Sequence, residues 1–478
     1  MSRKDTIQSE ATKALVDNNY RGTVVLDTGS GKAKIAIDCI NQSKFNKVLI
    51  VSPRTHLIDN WKKELVKWSN SSDIKIEIST IQTYYKKNKE QLSIFNLIII
   101  DEIHFIGEKY FSFIKILNEL ETPIIGLTAT PSEDDVFKRD ILYKTIPIIF
   151  RYNNAENDGV TNKCNYYLYE YELSDDYKVD VIAGKKSWKE GEKSRYLYLD
   201  NLFKECEFKI KLHYFNFLKD SILKRIEGNK TLSLGKLNEE DIKFLEDSIS
   251  KDLDYFYSVT KPRYDYRDMS LELYYALKDC KGVNYSILGT GAIRYLSYPI
   301  PNDIKPVIAR YNWAMNARKD LLWSLSSSSS IAVAIKNKIL SSQIANKVLL
   351  FSELTTQTNK LSENIIHSNI GNSTKETNAL NKATLLKFNT GKIRDIASCQ
   401  SLTLGLNLAS VNWVIFESYS GSITNSKQKK GRANRLDIND VAHIVVIKAK
   451  NTQQEIWFEK AFSFVKEWIK IDNINDLI

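Results

Sequence analysis

The stretch Val24–Ile37, "VVLDTGSGKAKIAI", decides the fold. An apolar, β-branched run leads into a loop holding Gly29 and Gly31, and apolar residues at helical spacing follow Lys32. That is how a phosphate-binding loop is laid out. The glycines let backbone N–H groups curl toward an anion, and the helix behind them points its positive dipole end at the same place. Lys32 is spaced to reach the β and γ phosphates of a nucleotide, with Thr28, Gly29, Ser30 and Gly31 as the cradle. The next position departs from the usual form. Ala33 stands where a Ser or Thr hydroxyl ordinarily ligates Mg²⁺, so the loop is either a working nucleotide site or the remains of one. Taken alone, it also reads as a plain strand–turn–helix connection.

The same alternation surrounds it. From Arg21 to about Phe150 the runs "GTVVLD", "KVLIVSP", "IKIEIST", "FNLIIIDE" and "PIIGLTATP" are short, apolar and bounded by turn residues. Between them "AKIAIDCINQS" and "HLIDNWKKELVKWSN" carry helical spacing. Continuous rather than alternating apolar runs predict strands buried on both faces, hence a parallel α/β sheet. The pattern returns near Asn346 with "NKVLLFSE", "IRDIASC", "VNWVIFES" and "VAHIVVIKA", separated by helical segments such as "TKETNALNKATLLKFNTG" and followed by a helix from "TQQEIWFEKAFSFVKEWI". The middle is charged and mostly helical in pattern. There "YLYEYELSDDYKVD" reads as the close of the first domain or the start of its connection, and Ser326–Ser330 as a linker. The expected division is a first α/β domain over 1–155, a mainly helical connector over 156–330, and a second α/β domain with its terminal helix over 331–478.

Composition agrees with a chain of two or three globular domains: 478 residues, 43% hydrophobic and 26% charged. The formal charge of +10 favours an anionic partner such as nucleic acid, although scattered surface lysines give the same total. The five cysteines never approach C-x₂-C spacing, which speaks against zinc and for a reducing, cytoplasm-like compartment. No apolar run is long enough to span a bilayer and "MSRKDTIQSEATKAL" has no signal-type core, so no membrane association is expected.

Three further motifs carry chemistry. The strand "NLIIIDEIH" ends in Asp101 and Glu102, at the carboxyl edge of the predicted sheet where open α/β folds bind ligands. Asp101, with Glu102 beside it, suits Mg²⁺, and Glu102 suits orienting and deprotonating an attacking water. An acidic strand end exposed to solvent is the plainer reading. "GLTATP" sets Thr128 and Thr130 at another strand end, placed with His104 to relay the state of a bound nucleotide. "NSKQKKGRANR" supplies Gln428, Arg432 and Arg435. Arginines three apart share a helix face and are spaced to reach a γ-phosphate across a cleft, as arginine fingers do. The neighbouring Lys427, Lys429 and Lys430 keep open a basic face for a phosphate backbone.

In chain order, "DTGSGK", "LIVSPRTHL", "ISTIQT", "DEIH", "LTATP", "FSEL", "LTLGLNL" and "QKKGRANR" resemble motifs I, Ia, Ic, II, III, IV, V and VI of superfamily 2 helicases of the DEAD/DEAH-like kind. The resemblance implies an α/β protein of two RecA-like parallel-sheet P-loop domains with a mostly helical central insert, using ATP and Mg²⁺ and hydrolysing ATP under stimulation by nucleic acid. Carried over motif by motif, Gln8 of "IQSEATKAL" would read adenine. Pro53, Arg54, Thr55 and Thr80 would touch the nucleic-acid backbone from the first domain, and Ser398–Gln400 with Thr403 from the second. Gly405 and Asn407 would face the nucleotide; the family's more usual Gly-x-Asp is Gly-x-Asn here, which keeps hydrogen bonding and removes a charge.

Within the superfamily, "VSPRTHLIDNWKKELVKW" resembles the chromatin-remodeller group. "DEIH", "LTATP" and the Q-x-x-G-R-x-x-R pattern resemble members directed at duplex DNA: the TFIIH repair translocase, restriction-enzyme motors and compact phage branch-migration helicases. "ARKDLLWSLSSSSSIAVAIKNKIL" is similar to phage and viral members. The implied function is an ATP-dependent helicase or translocase on branched or duplex DNA, DNA in preference to RNA, in replication, recombination or repair, from a viral or phage source and in company with replication, recombination or transcription proteins. The alternatives are a motor subunit of a transcription or restriction assembly, an RNA helicase, or a weakly active nucleic-acid-binding scaffold with a degenerate phosphate loop. In the insert, the tyrosines of "DYFYSVTKPRYDYRDM" would stack on bases or, more ordinarily, pack a core. For Ala33, a water in the vacant Mg²⁺ position keeps an active ATPase the expectation.

Overall fold

The computed structural model describes residues 2–70, 74–132, 135, 137–183, 186–226, 305–342, 346–368, 370–371, 373–399, 408, 410–433 and 440–477. Two compact bodies emerge, one of Met1–Leu173 with Leu322–Ile478 and one of Ser174–Leu321.

The first body holds two parallel sheets. Sheet one takes β1 (Gly22–Leu26), β2 (Lys47–Ser52), β3 (Lys75–Thr80), β4 (Leu97–Asp101), β5 (Ile124–Thr128) and β6 (Ile148–Tyr152) in the order β3-β2-β4-β5-β1-β6. Strands β1 and β5 are buried at every residue, as their unbroken apolar runs require of a sheet covered on both faces. Helices α1 (Arg3–Asp17), α2 (Lys32–Gln42), α3 (His56–Trp68) and α4 (Phe111–Glu119) accompany it. The order leaves β4, β5 and β1 side by side, so the loops after Asp101, Thr128 and Leu26 open at one edge.

Sheet two contains β7 (Lys163–Tyr171), β10 (Val348–Ser352), β11 (Ile365–Ile366), β12 (Asp395–Cys399), β13 (Trp413–Phe416), β14 (Val441–Ala449) and β15 (Ile469–Ile471), ordered β11-β12-β10-β13-β14-β7-β15. Two expectations are corrected here. The segment read as the close of the first domain is an inner strand of the second: Lys163 to Tyr171 pairs in register with Val441 to Ala449. A strand completed by a partner far along the chain has no local signature. The terminal helix is also shorter than expected. It stops at Ala461, and the chain then adds β15 at the sheet edge against β7.

The serine run is no linker. Ser326–Ser341 is a helix whose Ser327, Ser328 and Ser329 are buried, with Ser328 Oγ donating to the Glu417 carbonyl at 2.7 Å and Ser329 Oγ to the Leu325 carbonyl at 3.2 Å. Small hydroxylated side chains let a helix lie close to a sheet while each polar atom keeps a partner.

The second body contains an antiparallel hairpin, β8 (Lys178–Ala183) with β9 (Lys186–Gly191), the helix Glu192–Ile226 and, as far as Leu321, the helix Lys305–Trp323. The rings of Phe203 and Tyr311 meet tilted, with centroids 4.8 Å apart, and the Arg318 guanidinium pairs with Asp200. The stretch "DYFYSVTKPRYDYRDM" lies outside the described residues. Among the described residues no helix is long and apolar enough to cross a membrane.

Candidate functional site

The loop after β1 turns on two glycines in the left-handed region, Gly29 at φ 93° and Gly31 at φ 89°. Gly31 is the N-cap of α2, and no side chain caps that helix, which leaves its N-terminus open to an anion. A side chain at Gly31 would also collide with the Gln8 amide. Gln8, buried in α1, donates from Nε2 to the Ser30 carbonyl at 2.8 Å. Lys4, which the sequence did not single out, donates to the Gly29 carbonyl at 3.0 Å. The first helix thus holds the loop from outside. Lys32 Nζ folds back to the Leu26 carbonyl at 3.3 Å. Ala33 packs against the apolar cluster of sheet one and offers no oxygen.

At the end of β4, Glu102 adopts a left-handed backbone, φ 46° and ψ 52°. A non-glycine residue there costs about 1–3 kcal/mol and persists where surrounding contacts enforce it. Asp101 is held at both oxygens: Oδ1 accepts the Glu102 N–H at 3.0 Å and Oδ2 accepts the Trp61 indole N–H at 2.9 Å. Burial and then the adjacent Glu102 charge push the Asp101 carboxyl upward, against the pull of Trp61 and Lys32. Burial pushes Glu102 upward too, but Lys32, His104 and Arg432 together outweigh it and hold Glu102 low. Two crowded, partly buried carboxylates with one raised make an all-oxygen donor set that suits Mg²⁺, and in the phosphate loop Ser30 Oγ is buried without a hydrogen-bond partner. Asp101 would hold the ion, which when bound neutralises phosphate charge.

His104 joins three motifs. Its Nδ1 lies 2.8 Å from Thr128 Oγ1 and 3.3 Å from Glu102 Oε2, and its Nε2 lies 3.4 Å from Gln428 Nε2. Because the Gln428 amide is a donor, a neutral ring must carry its proton on Nδ1. Thr128 Oγ1 then accepts from His104 and from the Thr130 N–H at 3.1 Å, and donates to the Thr130 carbonyl at 3.2 Å. Thr130 Oγ1 is buried without a partner.

Gln428 comes from sheet two, on the helix Ile423–Lys430. That helix ends before Arg432, so Arg432 lies in the turn after it and not on its face, a correction to the expected helical spacing. Arg432 is 4% exposed and its charge acts on Glu102. Gly431 makes the approach close: a Cβ there would sit 2.5 Å from Thr28 Cγ2 in the phosphate loop. The basic-face reading of this helix is corrected for two of its lysines. Lys429 is buried against Glu353 at 2.6 Å and Lys430 pairs with Glu156 at 2.7 Å. Arg435, Gln400, Thr403, Gly405 and Asn407 lie outside the described residues.

Of the residues expected to touch a polyanion, Arg54 and Thr55 are exposed at the start of α3, while Pro53 and Thr80 are buried. Ser398 is fully buried with its hydroxyl donated to the Ile366 carbonyl at 3.0 Å, so its side chain offers no such contact. Trp61 and Lys4 were missed. "IDNWKKE" reads only as amphipathic helix, and nothing local marks the indole as a partner of Asp101. A cleft lined by Tyr20, Phe45, Phe95 and Pro123 opens at the opposite, amino-terminal edge of sheet one, away from these groups.

Known proteins align with this layout. Residues 4–133 match the family described as "Type III restriction enzyme, res subunit", and residues 332–451 match "Helicase conserved C-terminal domain". The chain is 30% identical over 215 residues to the DNA 3'-5' translocase XPB2 of Sulfurisphaera tokodaii; that stretch is 41% of this chain and 46% of the relative, less than half of either. The helicase domain of Pyrococcus furiosus Hef aligns over 95% of this chain and 96% of its own, at 16% identity and a TM-score of 0.45, a likeness too loose to bear on the site. The two family matches fall in chain order on the two sheets whose motifs meet at His104 and Gln428, and the chain belongs to the superfamily 2 helicases.

Proposed function

We propose that this chain is a nucleic-acid-stimulated ATPase that drives movement along, or separation of, branched or duplex DNA. The observation that carries the reading is the bridge between sheets: Gln428 Nε2 meets His104 Nε2 at 3.4 Å while Arg432 is buried near Glu102. A site completed from both sheets is assembled only when the cleft closes, which is what links hydrolysis to motion.

The residues divide the work. The phosphate loop and Lys32 bind and orient the phosphates, Glu102 takes a proton from the attacking water, and Arg432 stabilises charge on the transferred group. His104, Thr128 and Thr130 relay that state along their hydrogen bonds. Arg54 and Thr55 offer exposed groups to a phosphate backbone. Preference for DNA is supported by the archaeal relative's description as a DNA translocase. That relative lends nothing to a viral or phage source.

The test is ATP hydrolysis by the full chain with single strands, duplexes, forks and four-way junctions, in DNA and in RNA. Stimulation strongest with duplex or branched DNA is expected. Equal response to every polymer would remove the branched-DNA reading, and absence of hydrolysis would leave a binding scaffold.

A further inference from the structure

We propose that Trp61 is a positioning residue for Asp101, and that α3 carries the occupancy of its Arg54–Thr55 end to that carboxylate. The inference rests on the ATPase reading above.

Asp101 accepts one hydrogen bond on each oxygen, from the Glu102 backbone and from the Trp61 indole. One donor per oxygen fixes the carboxylate plane and leaves each oxygen further lone pairs for a ligand. The backbone donor belongs to the same strand end and moves with it. Trp61 does not. It is 3% exposed on a different element, α3, and its N–H is its only polar atom. The orientation of Asp101 is therefore tied to where α3 lies.

What moves α3 follows from its two ends. At the far end it is fastened to α2, the helix of the phosphate loop: Asn41 Nδ2 donates to the Trp68 carbonyl at 2.9 Å, and Asn41 Oδ1 accepts the Asn70 N–H at 3.1 Å. At the near end Arg54 and Thr55 are exposed and no side chain caps the helix. Trp61 lies between, about 9 Å along the axis from Thr55 at 1.5 Å per residue. A polyanion drawing on the near end shifts the helix about its fastened end, and the indole shifts with it. Such a shift would re-aim the Asp101 carboxylate without any contact between nucleic acid and the ATP site.

The experiment follows ADP binding to the full chain across a magnesium titration, with and without a mixed-sequence DNA duplex. In the wild-type chain the duplex should lower the Mg²⁺ concentration at half-effect. In Trp61→Phe that concentration should rise about ten-fold, the loss of one hydrogen bond to a charged group, and the duplex should no longer move it. ADP affinity in chelator should stay at the wild-type level, which a general packing defect would not allow. A Trp61→Phe titration that superimposes on wild type, with and without duplex, overturns the proposal. Should the variant not fold, the wild-type chain labelled at its tryptophan indole nitrogens gives a second reading. Adding Mg²⁺ to the ADP-bound protein should move an indole N–H resonance, and Asp101→Asn should abolish that response; no movement of any indole signal overturns the role. A chain whose hydrolysis ignores DNA, but in which Trp61→Phe still raises the Mg²⁺ requirement, sinks the function reading and transmission through α3 while upholding Trp61 at Asp101.

Discussion

Sheet one is drawn from a single stretch of chain, Gly22 to Tyr152, whereas sheet two gathers Lys163–Tyr171, Val348–Ala449 and Ile469–Ile471. The contrast extends to chemistry. Sheet one supplies Lys32, Asp101, Glu102, His104 and Thr128 from three adjacent strand ends. Sheet two's described contribution is confined to one short helix and the turn after it, with Gln428 and Arg432. On the proposed reading the half built locally would bind, and the half that arrives from elsewhere would make the site competent. Separating binding from turnover is therefore the way to test the division.

The largest effect is expected from the arriving half. Arg432→Ala should lower turnover by about 10⁴-fold, within the range found for arginine fingers, and leave nucleotide affinity nearly unchanged. Equal losses in affinity and turnover would place Arg432 among the binding groups and erase the contrast. Glu102→Gln should follow at about 10³-fold in turnover, as removal of a general base does, again with binding kept. The two variants differ in one respect: Glu102→Gln keeps the Arg432 turn against the phosphate loop, so protease protection of the cleft by ATP should persist in it and weaken in Arg432→Ala.

The same division explains what could be read in advance. The phosphate loop, the Asp101–Glu102 pair and five of the six strands of sheet one, all but Ile148–Tyr152, are announced by contiguous residues, because glycine turns and unbroken apolar runs are local signals. The strand Lys163–Tyr171 was misplaced because its partner, Val441–Ala449, lies far along the chain. The buried serines of Ser326–Ser330 were misread because composition marks a linker while tertiary packing makes a close-lying helix. The Trp61–Asp101 bond was invisible for the same reason: it joins two elements whose proximity only the fold creates.

Sheet two also carries a buried carboxyl that the proposed chemistry does not use. Glu417 is fully buried, with Oε1 accepting from Gln357 Nε2 at 3.1 Å. Burial raises it to about 7, only partly opposed by hydrogen bonds from Ser418, Gln357 and Ser328. An acid raised on folding binds a proton in the folded state between its two pKa values, so stability is greatest below the unfolded value, near 4.5, and falls as pH rises toward 7. The loss amounts to about 3 kcal/mol at roughly 1.4 kcal/mol per unit. Urea unfolding of Glu417→Gln at pH 5 and pH 8 (approximate settings on either side of that window) should show that much less pH dependence than wild type. Parallel pH profiles for the two proteins would mean that Glu417 stays charged in the core.

The smallest effect is expected at the residue that first made the site doubtful. Ala33 contributes no ligand, and its methyl belongs to the apolar packing of sheet one. Mg²⁺ commonly retains several waters in nucleotide sites, so the missing hydroxyl would exchange a protein oxygen for a water, with Asp101 and the phosphates still available to hold the ion. Ala33→Thr can keep the methyl contact while adding the hydroxyl, and should lower the Mg²⁺ concentration for half-maximal hydrolysis about three-fold, less than one net hydrogen bond. Maximal turnover should hardly change, because in the proposed mechanism Glu102 and Arg432 would act once the ion is bound. A large rise in maximal turnover would instead make Ala33 a brake on the chemistry and move the weak point of the site from the arriving half to the local one. Superimposed magnesium titrations would show that a water already does the hydroxyl's work.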